Sequence, residues 1–446
     1  MKAGPFVPDT ADSMRISMAG DDCSLHFDLN KLTPKQQADH LANQVLTGML
    51  QLALMYIAKP DDEVNLYQQF DQSPWRDAFD RYLSMFARMD LLPNGPAQMR
   101  FHPVDQYYKS VAQGPLTQSL ECLYMTSGSN KVLHQSEAAL AVSQDLNSKI
   151  HFAEHAPAAG LPVPATLVTN KAALAEDAEE VSTFLGKYKL PLMLKTLGLA
   201  GARNVTVINS IDEASDYLSE YPDDAPLILQ QRLSSNDYVE MTVDLSVTPD
   251  DIKITNVRKI LFAEGLWVGN LLGAGVALTQ AQETALLEVG EYARDHLFVD
   301  LLDADQAYNL GIDYFIRAPQ ADNTLPPVII TEINARWTGG LFPAELVRRL
   351  GIRDQSVVAF IDLCPVAEFE TYLNFLEANL YSASGDSSWS IAPMGFSPLP
   401  QDLEGFSQLY VWQIVIGDFE AFKASRYAQL DSAVLPTAPI ISIDIT

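Results

Sequence analysis

With 446 residues, 48% of them apolar, the chain holds more than one compact core usually contains, so two or three domains are expected. Its 29 basic and 57 acidic residues leave a formal charge of −28, which excludes a general nucleic-acid or anionic-lipid surface, because neutralising phosphates takes an excess of Lys and Arg. Any site for a polyanion must therefore gather cations locally against the field of the whole molecule.

Thr33-Pro34-Lys35-Gln36 carries an N-cap, a proline at the first helical position and a capping-box glutamine. The helix it opens is expected to run to Lys59, where Pro60 stops it. Its most apolar stretch, residues 45–58, is about 14 residues long and contains Gln51, too short to span a bilayer. Periodic segments at 74–89 and 136–146 complete a region rich in helix, residues 1–146, in which no chemistry stands out. The N-terminal Met-Lys-Ala-Gly-Pro-Phe-Val-Pro-Asp lacks the apolar core of a signal peptide. Cys23, Cys122 and Cys364 are scattered with no CxxC, which fits a reducing compartment. The expectation is a cytoplasmic protein with no membrane and no nucleic-acid partner.

From about residue 147 the texture changes. A helix at 149–159 leads through Gly160-Leu161-Pro162-Val163-Pro164 into a short strand at 165–169. A helix at 175–188 precedes a strand at 190–195, a small-residue loop containing Gly198 and Gly201, and a strand at 204–208. Ser210-Ile211-Asp212-Glu213 is a capping box opening a helix to about Glu220. Strands follow at 227–232, 238–247 and 252–262, then a helix at 279–297, a strand at 309–317 and a strand ending at Glu332. Beyond about Asp354, helical stretches at 366–381 and 419–430 mix with strands at 408–416 and 439–445. Strands alternating with helices, followed by long antiparallel-looking strands, indicate an α+β architecture divided as 1–146, 147–352 and 353–446.

Chemistry concentrates in Pro326-Pro-Val-Ile-Ile-Thr-Glu332-Ile-Asn334-Ala-Arg336-Trp-Thr-Gly-Gly340. An apolar run delivers a carboxylate, an amide and a guanidinium, which strand alternation puts on one side, with Ile333 and Ala335 on the other. Glu332 and Asn334 supply the hard oxygens Mg²⁺ prefers, and Arg336 supplies a cation for a metal-bound phosphate or a developing oxyanion. Lys195 ends the strand Leu-Pro-Leu-Met-Leu-Lys ahead of a loop whose backbone N–H groups can approach phosphate oxygens. The strand 227–233 ends in a polar turn, of the kind that presents backbone groups to a purine edge with an acidic residue reaching the ribose.

In order and spacing these pieces resemble the ATP-grasp superfamily of carboxylate–amine ligases: Lys149 before Gly-Leu-Pro-Val-Pro, Lys195 and its glycine loop, the 227–233 segment, Asp313 in Leu-Gly-Ile-Asp-Tyr-Phe, and Glu332-x-Asn334-x-Arg336. The resemblance covers roughly residues 147–350. It implies ATP and Mg²⁺, with Lys149 and Lys195 on the phosphates together with the loop glycines Gly198 and Gly201. Gln230, Gln231 and Leu233 would hold the adenine, and Asp237 or Glu240 the ribose. Asp313, Glu332 and Asn334 would lie at the metal, and Lys195 and Arg336 would be catalytic, Arg336 stabilising an acyl phosphate and the tetrahedral intermediate that follows. The partners implied are a small-molecule carboxylate and an amine, and a homodimer is compatible with this. The chain departs from the family at Ala202, Arg203 and Asn204, where the loop is commonly richer in glycine, and at Gln230, where an acidic residue is frequent.

Other chemistries leave weaker marks. His151-Phe-Ala-Glu154-His155 fits the H-x-x-E-H pattern of inverted zinc metallopeptidases, without an identifiable third ligand. Gly273-Ala-Gly275 lacks the third glycine of a dinucleotide loop. A non-catalytic nucleotide-binding protein is the remaining alternative, and the intact Glu332, Asn334 and Arg336 set speaks against it. No biotin-attachment Met-Lys-Met occurs, so an amino-acid or peptide ligase of small-molecule biosynthesis is expected rather than a carboxylase.

Overall fold

The structure, a computed structural model, describes residues 2–4, 13–17, 34–107, 110, 118–120, 145–196, 205–263, 266–274, 276–299, 307–385, 387–398 and 407–430. Within them the strands form three sheets. The first is parallel and runs β1 (Lys2–Gly4), β5 (Gln118–Leu120), β2 (Arg15–Ile16), β3 (Glu63–Tyr67) and β4 (Gln98–His102) from edge to edge. Helix α1 (Pro34–Ile57) joins β2 to β3, and α2 (Trp75–Arg88) joins β3 to β4. In α2 the buried residues are Trp75, Ala78, Phe79, Tyr82, Met85 and Phe86, a one-sided stripe at helical spacing. Both helices stand where the sequence places them, and the five strands of this sheet were not anticipated. These strands are two to five residues long, too short for alternation to register.

Helix α3 (Lys149–His155) opens the next part, its first turn capped by Ser148, whose hydroxyl accepts from the His151 N–H at 3.2 Å. It leads to an antiparallel sheet of β6 (Thr166–Asn170), β9, β7 (Leu192–Thr196) and β8 (Val205–Ile208) in that order, where β9 is Pro226–Gln231. The helices are α4 (Lys171–Ala175), α5 (Glu179–Tyr188) and α6 (Ile211–Tyr217). Ser210 caps α6 as expected, accepting from the Glu213 N–H, but the Glu213 carboxylate turns back to the Asn209 N–H at 2.7 Å, one residue short of a full box. Leu174, Val181, Phe184, Leu192, Leu194 and Leu229 belong to a core of this sheet's own. The chain enters it at Ala165 and leaves at Gln231, whose N–H donates to the Ala165 carbonyl at 2.8 Å.

The third sheet is the largest. It contains β10 (Tyr238–Val247), β11 (Ile252–Ala263), β12 (Leu266–Gly273), β13 (Tyr308–Arg317), β14 (Val328–Asn334), β15 (Ser356–Pro365), β16 (Trp389–Phe396) and β17 (Gln408–Gly417), in the order β14-β13-β10-β11-β12-β15-β17-β16. One face of β10 and β11 carries α7 (Gln280–Tyr292), which starts in a capping box between Thr279 and Gln282. A Cβ at Gly290 would lie 2.7 Å from Ile252 Cγ2 and 2.9 Å from Leu245 Cδ1, so glycine lets this helix sit close to the sheet. Helices α8 (Leu341–Arg349), α9 (Phe369–Ala378) and α10 (Phe419–Gln429) complete the chain described here.

Because β12 pairs with β15, with Leu271 opposite Val358, strand pairing crosses the division expected at residue 352 without interruption. That division separates the chain in sequence but not in space. Strands β12, β15 and β16 were not anticipated, and the strand expected at 439–445 lies outside the described residues, as does most of the helix expected at 136–146. On β15, Asp362 is fully buried and accepts from Arg426 through Nε (2.8 Å) and Nη2 (3.0 Å) and from the Tyr372 hydroxyl (2.7 Å). Among the described residues no helix is long and apolar enough to cross a membrane.

Candidate active site

Strand β10 reads Tyr-Val-Glu240-Met-Thr242-Val-Asp244-Leu, apolar and polar residues alternating. Met241, Val243 and Leu245 are buried in the core, which puts Glu240, Thr242 and Asp244 on the opposite face. Registration carries that face across the sheet: Thr242 opposes Asp313, and Asp244 opposes Gly311. Asp313 in turn opposes Glu332, and Gly311 opposes Asn334. A bulge after Asp313 leaves Thr331 unmatched and brings the two carboxylates level.

Two lysines meet this acidic face. Lys149, at the first turn of α3, places Nζ 3.1 Å from Glu332 Oε2. Lys195, on β7 of the smaller sheet, is 8% exposed and interacts electrostatically with Glu332, Lys149, Glu240 and Asp313. Burial lowers the Lys195 pKa, against the opposing pull of Glu332. Burial also raises Glu240, helped by Asp313 and opposed by Lys195, to about 7. Asp313 is raised by burial and by Glu332. Glu332 feels the same burial, but Lys149, Lys195 and Arg336 outweigh it and hold its carboxyl below the usual range.

Side-chain alternation in β14 ends at Asn334. Arg336 arrives on the same side by a turn, its N–H donating to the Asn334 carbonyl at 2.9 Å, and it is 4% exposed. Its Nη1 donates to Asn147 Oδ1 at 2.6 Å, and Asn147 Nδ2 reaches the Ala335 carbonyl at 3.5 Å. Asn309 Nδ2 donates both to the Arg336 carbonyl (2.8 Å) and to Asp244 Oδ1 (3.0 Å). Asp244 is fully buried and ion-paired with the equally buried Arg258, whose Nη2 donates to Thr242 Oγ1 at 3.3 Å. A Cβ at Gly311 would press on Thr338 and Asp244, so glycine leaves room for this network.

Between α3, the smaller sheet and β14 lies a cleft lined by Lys149, Val163, Lys195, Ile228, Gln230 and Ile330, among others. Gln230, 7% exposed, donates through Nε2 to Thr166 Oγ1 at 3.1 Å, and that hydroxyl donates to the Pro164 carbonyl at 2.9 Å. This fixes the amide so that Oε1 is its remaining acceptor. Gln231 is exposed, Leu233 lies just past β9, and Asp237 stands at the turn before β10, where its carbonyl accepts from the Ala318 N–H. Of the two acidic residues considered for a ribose, Glu240 interacts with the lysine–carboxylate cluster. Gly198 and Gly201 lie outside the described residues.

The donor set fits a hard divalent cation. Asp313 and Glu332 are carboxylates of like charge facing each other, and Asn334 Nδ2 donates to Asp313 Oδ2 at 3.1 Å, leaving its oxygen to offer. The histidine motif gives another arrangement. His151 and His155 pack edge to face at 4.2 Å and each bonds a backbone carbonyl, while Glu154 is exposed. Among the described residues no cluster of three or more His, Cys, Asp or Glu is arranged to hold a metal.

Asn147, Asp244, Arg258 and Asn309 were not anticipated from the sequence. The polar alternation of β10 carries a signal for Asp244; Asn147 and Asn309 become visible only through contacts across 189 and 27 positions.

No family model matches the sequence, and no curated protein matches it significantly. Solved structures do match in three dimensions. N5-carboxyaminoimidazole synthetase from Staphylococcus aureus aligns over 97% of this chain and 100% of its own, with 12% identity and a TM-score of 0.51. N5-carboxyaminoimidazole synthase from Aspergillus clavatus, in complex with ADP and 5-aminoimidazole ribonucleotide, aligns over 94% and 98% with 12% identity and a TM-score of 0.53. The fold is ATP-grasp. Rhizobium etli pyruvate carboxylase shares it too, over 94% of this chain and 39% of that one, with 10% identity and a TM-score of 0.52. Lys149 and Lys195 line the cleft, and both interact with Glu332, on which Arg336 also acts electrostatically.

Proposed function

We propose that this protein is an ADP-forming carboxylate–amine ligase acting on small molecules, with an amino acid or peptide as one substrate. The observation that carries the reading is the meeting of two lysines that line a cleft with the opposed carboxylates Asp313 and Glu332, and a buried Arg336 that acts electrostatically on Glu332. A strongly acidic molecule has concentrated cations where a triphosphate would need them. The ADP in the Aspergillus clavatus structure supports a nucleotide in this fold.

In this reading ATP lies in the cleft with its adenine toward Gln230, and Glu240 takes the ribose. Lys149 and Lys195 neutralise the phosphates, and Asp313, Glu332 and Asn334 hold Mg²⁺, which supplies charge neutralisation at the transferring phosphoryl group. A carboxylate is a poor electrophile, and its oxygen attacks the γ-phosphorus to give an acyl phosphate and ADP. Such a transfer asks for positioning and charge more than for covalent participation. An amine then adds to the acyl carbon, Arg336 stabilises the oxyanion, and phosphate leaves.

The deciding experiment offers ATP-Mg²⁺ with a panel of amino acids and other carboxylates, with and without amines, and quantifies nucleotide products. ADP and inorganic phosphate in equal amounts, dependent on the carboxylate, are expected. Stoichiometric AMP and pyrophosphate, or no ATP binding by calorimetry with Mg²⁺ present, would refute the assignment.

A further inference from the structure

One hydroxyl proton decides which way an amide faces the cleft. Thr166 on β6 stands directly opposite Gln230 on β9, and both residues line the cleft. The Thr166 hydroxyl donates its single proton to the Pro164 carbonyl at 2.9 Å, so toward Gln230 it can only accept. Gln230 meets it with Nε2 at 3.1 Å, which turns Oε1 to the other side of the amide. Gln230 is buried, so a reversed amide would set oxygen against oxygen with little water to separate them. Gln230 opposes Met193 on β7 and Ile228 opposes Lys195, so the amide stands one pleat from the lysine on the same face of the smaller sheet. Val163, Ile228 and Ile330 add apolar surface suited to a flat ring.

Resting on the ligase reading, we infer that Thr166 sets the choice of nucleobase: by holding Gln230 with its amide oxygen free, it makes the cleft select a purine with a 6-amino group over one with a 6-oxo group. Adenine presents a donor at that position, and guanine or hypoxanthine an acceptor. A glutamine alone discriminates poorly, because turning the amide over exchanges its acceptor for a donor. A carboxylate at the same position would need no such hold, since both of its oxygens accept. Threonine and glutamine therefore work as a pair, with Thr166 acting through Gln230 as a positioning residue.

The probes are MgADP and MgIDP, whose bases carry a 6-amino and a 6-oxo group, each titrated into the whole protein by calorimetry. The parent should bind MgADP about a hundredfold more tightly than MgIDP. Thr166→Val keeps a β-branched strand residue of similar size and removes the hydroxyl. The ratio should then fall by on the order of tenfold, mainly through tighter binding of MgIDP, since the released amide can turn its N–H to the 6-oxo group. Thr166→Ala should shift the ratio in the same direction, and Thr166→Ser should keep the parental ratio. A merely structural role would weaken both nucleotides alike. In a Gln230→Glu background, Thr166→Val should leave the ratio unchanged, because a carboxylate reads the same either way round. A parental ratio in Thr166→Val and Thr166→Ala, equal weakening of both nucleotides, or the same shift in the Gln230→Glu background overturns the inference and leaves the ligase reading intact. So does a parent that binds MgIDP as tightly as MgADP or more tightly. A parent that binds neither nucleotide refutes the ligase reading instead.

Discussion

Asp313 and Glu332 stand directly opposite each other on β13 and β14, two carboxylates on one face of the sheet with Lys149 joined to Glu332 at 3.1 Å. Like charges in register on neighbouring strands disfavour each other, and Asp313 is raised in part for this reason. Under the ligase reading, a divalent cation held by these residues would remove the conflict.

Glu332→Gln should therefore raise the Mg²⁺ concentration needed for half-maximal ATP turnover by at least about tenfold, since a neutral amide is a poorer ligand. Titrating Mg²⁺ at fixed ATP reads this directly. A variant with the parental Mg²⁺ dependence would place the metal elsewhere.

Arg336→Lys keeps the charge and loses the planar fork that now meets Asn147. ATP binding should survive within a few-fold, while ligation falls by about 10²–10³, the usual cost of losing a placed oxyanion donor. Equal ligation rates for the two proteins would reduce Arg336 to a structural role.

Glu240 ties stability to pH. Its pKa is raised from the ordinary 4.5 to about 7, so the folded protein retains a proton that the unfolded chain releases. The associated stability is complete below pH 4.5, falls as pH rises through 7, and levels off above it. In the nucleotide-free protein, Glu240→Gln should remove this dependence and be the more stable form at pH 8, by up to about 3 kcal/mol. The difference should shrink toward pH 5. Urea unfolding at the two pH values checks it, and a constant difference would mean Glu240 is not the titrating group.

Asp362, on β15, is buried against Arg426 and Tyr372. Asp362→Asn leaves the guanidinium buried without its countercharge, and should cost about 3–5 kcal/mol of stability. MgADP affinity of the folded variant should match that of the parent. A loss below 1 kcal/mol in urea titration, roughly that of an exposed pair, would contradict the burial described here.

Sequence patterns revealed the parts of the fold with a long period to read. Helices α2 and α7 and strands β10 and β11 each present enough residues for an apolar face to repeat. The parallel N-terminal strands are too short for that, and β15 and β16 are buried on alternating and consecutive positions alike, so apolar content gave no face. At the site, Glu332 and Asn334 were legible because they interrupt an apolar strand. Asn147 was not, because an asparagine before a helix is ordinary until the fold brings it to an arginine on another element.

The seam at Ala165 and Gln231, where one hydrogen bond joins the incoming and outgoing chain, makes residues 166–231 a cassette. The segment is continuous, carries its own core and begins and ends at the same place, the conditions under which an insertion can be removed or grafted without stretching the host. Lys195 and Gln230 travel with the cassette, whereas Asp313, Glu332 and Arg336 stay with the host sheet. Under the ligase reading, chimeras cut at this seam would exchange nucleotide preference and acyl chemistry as separately inherited traits.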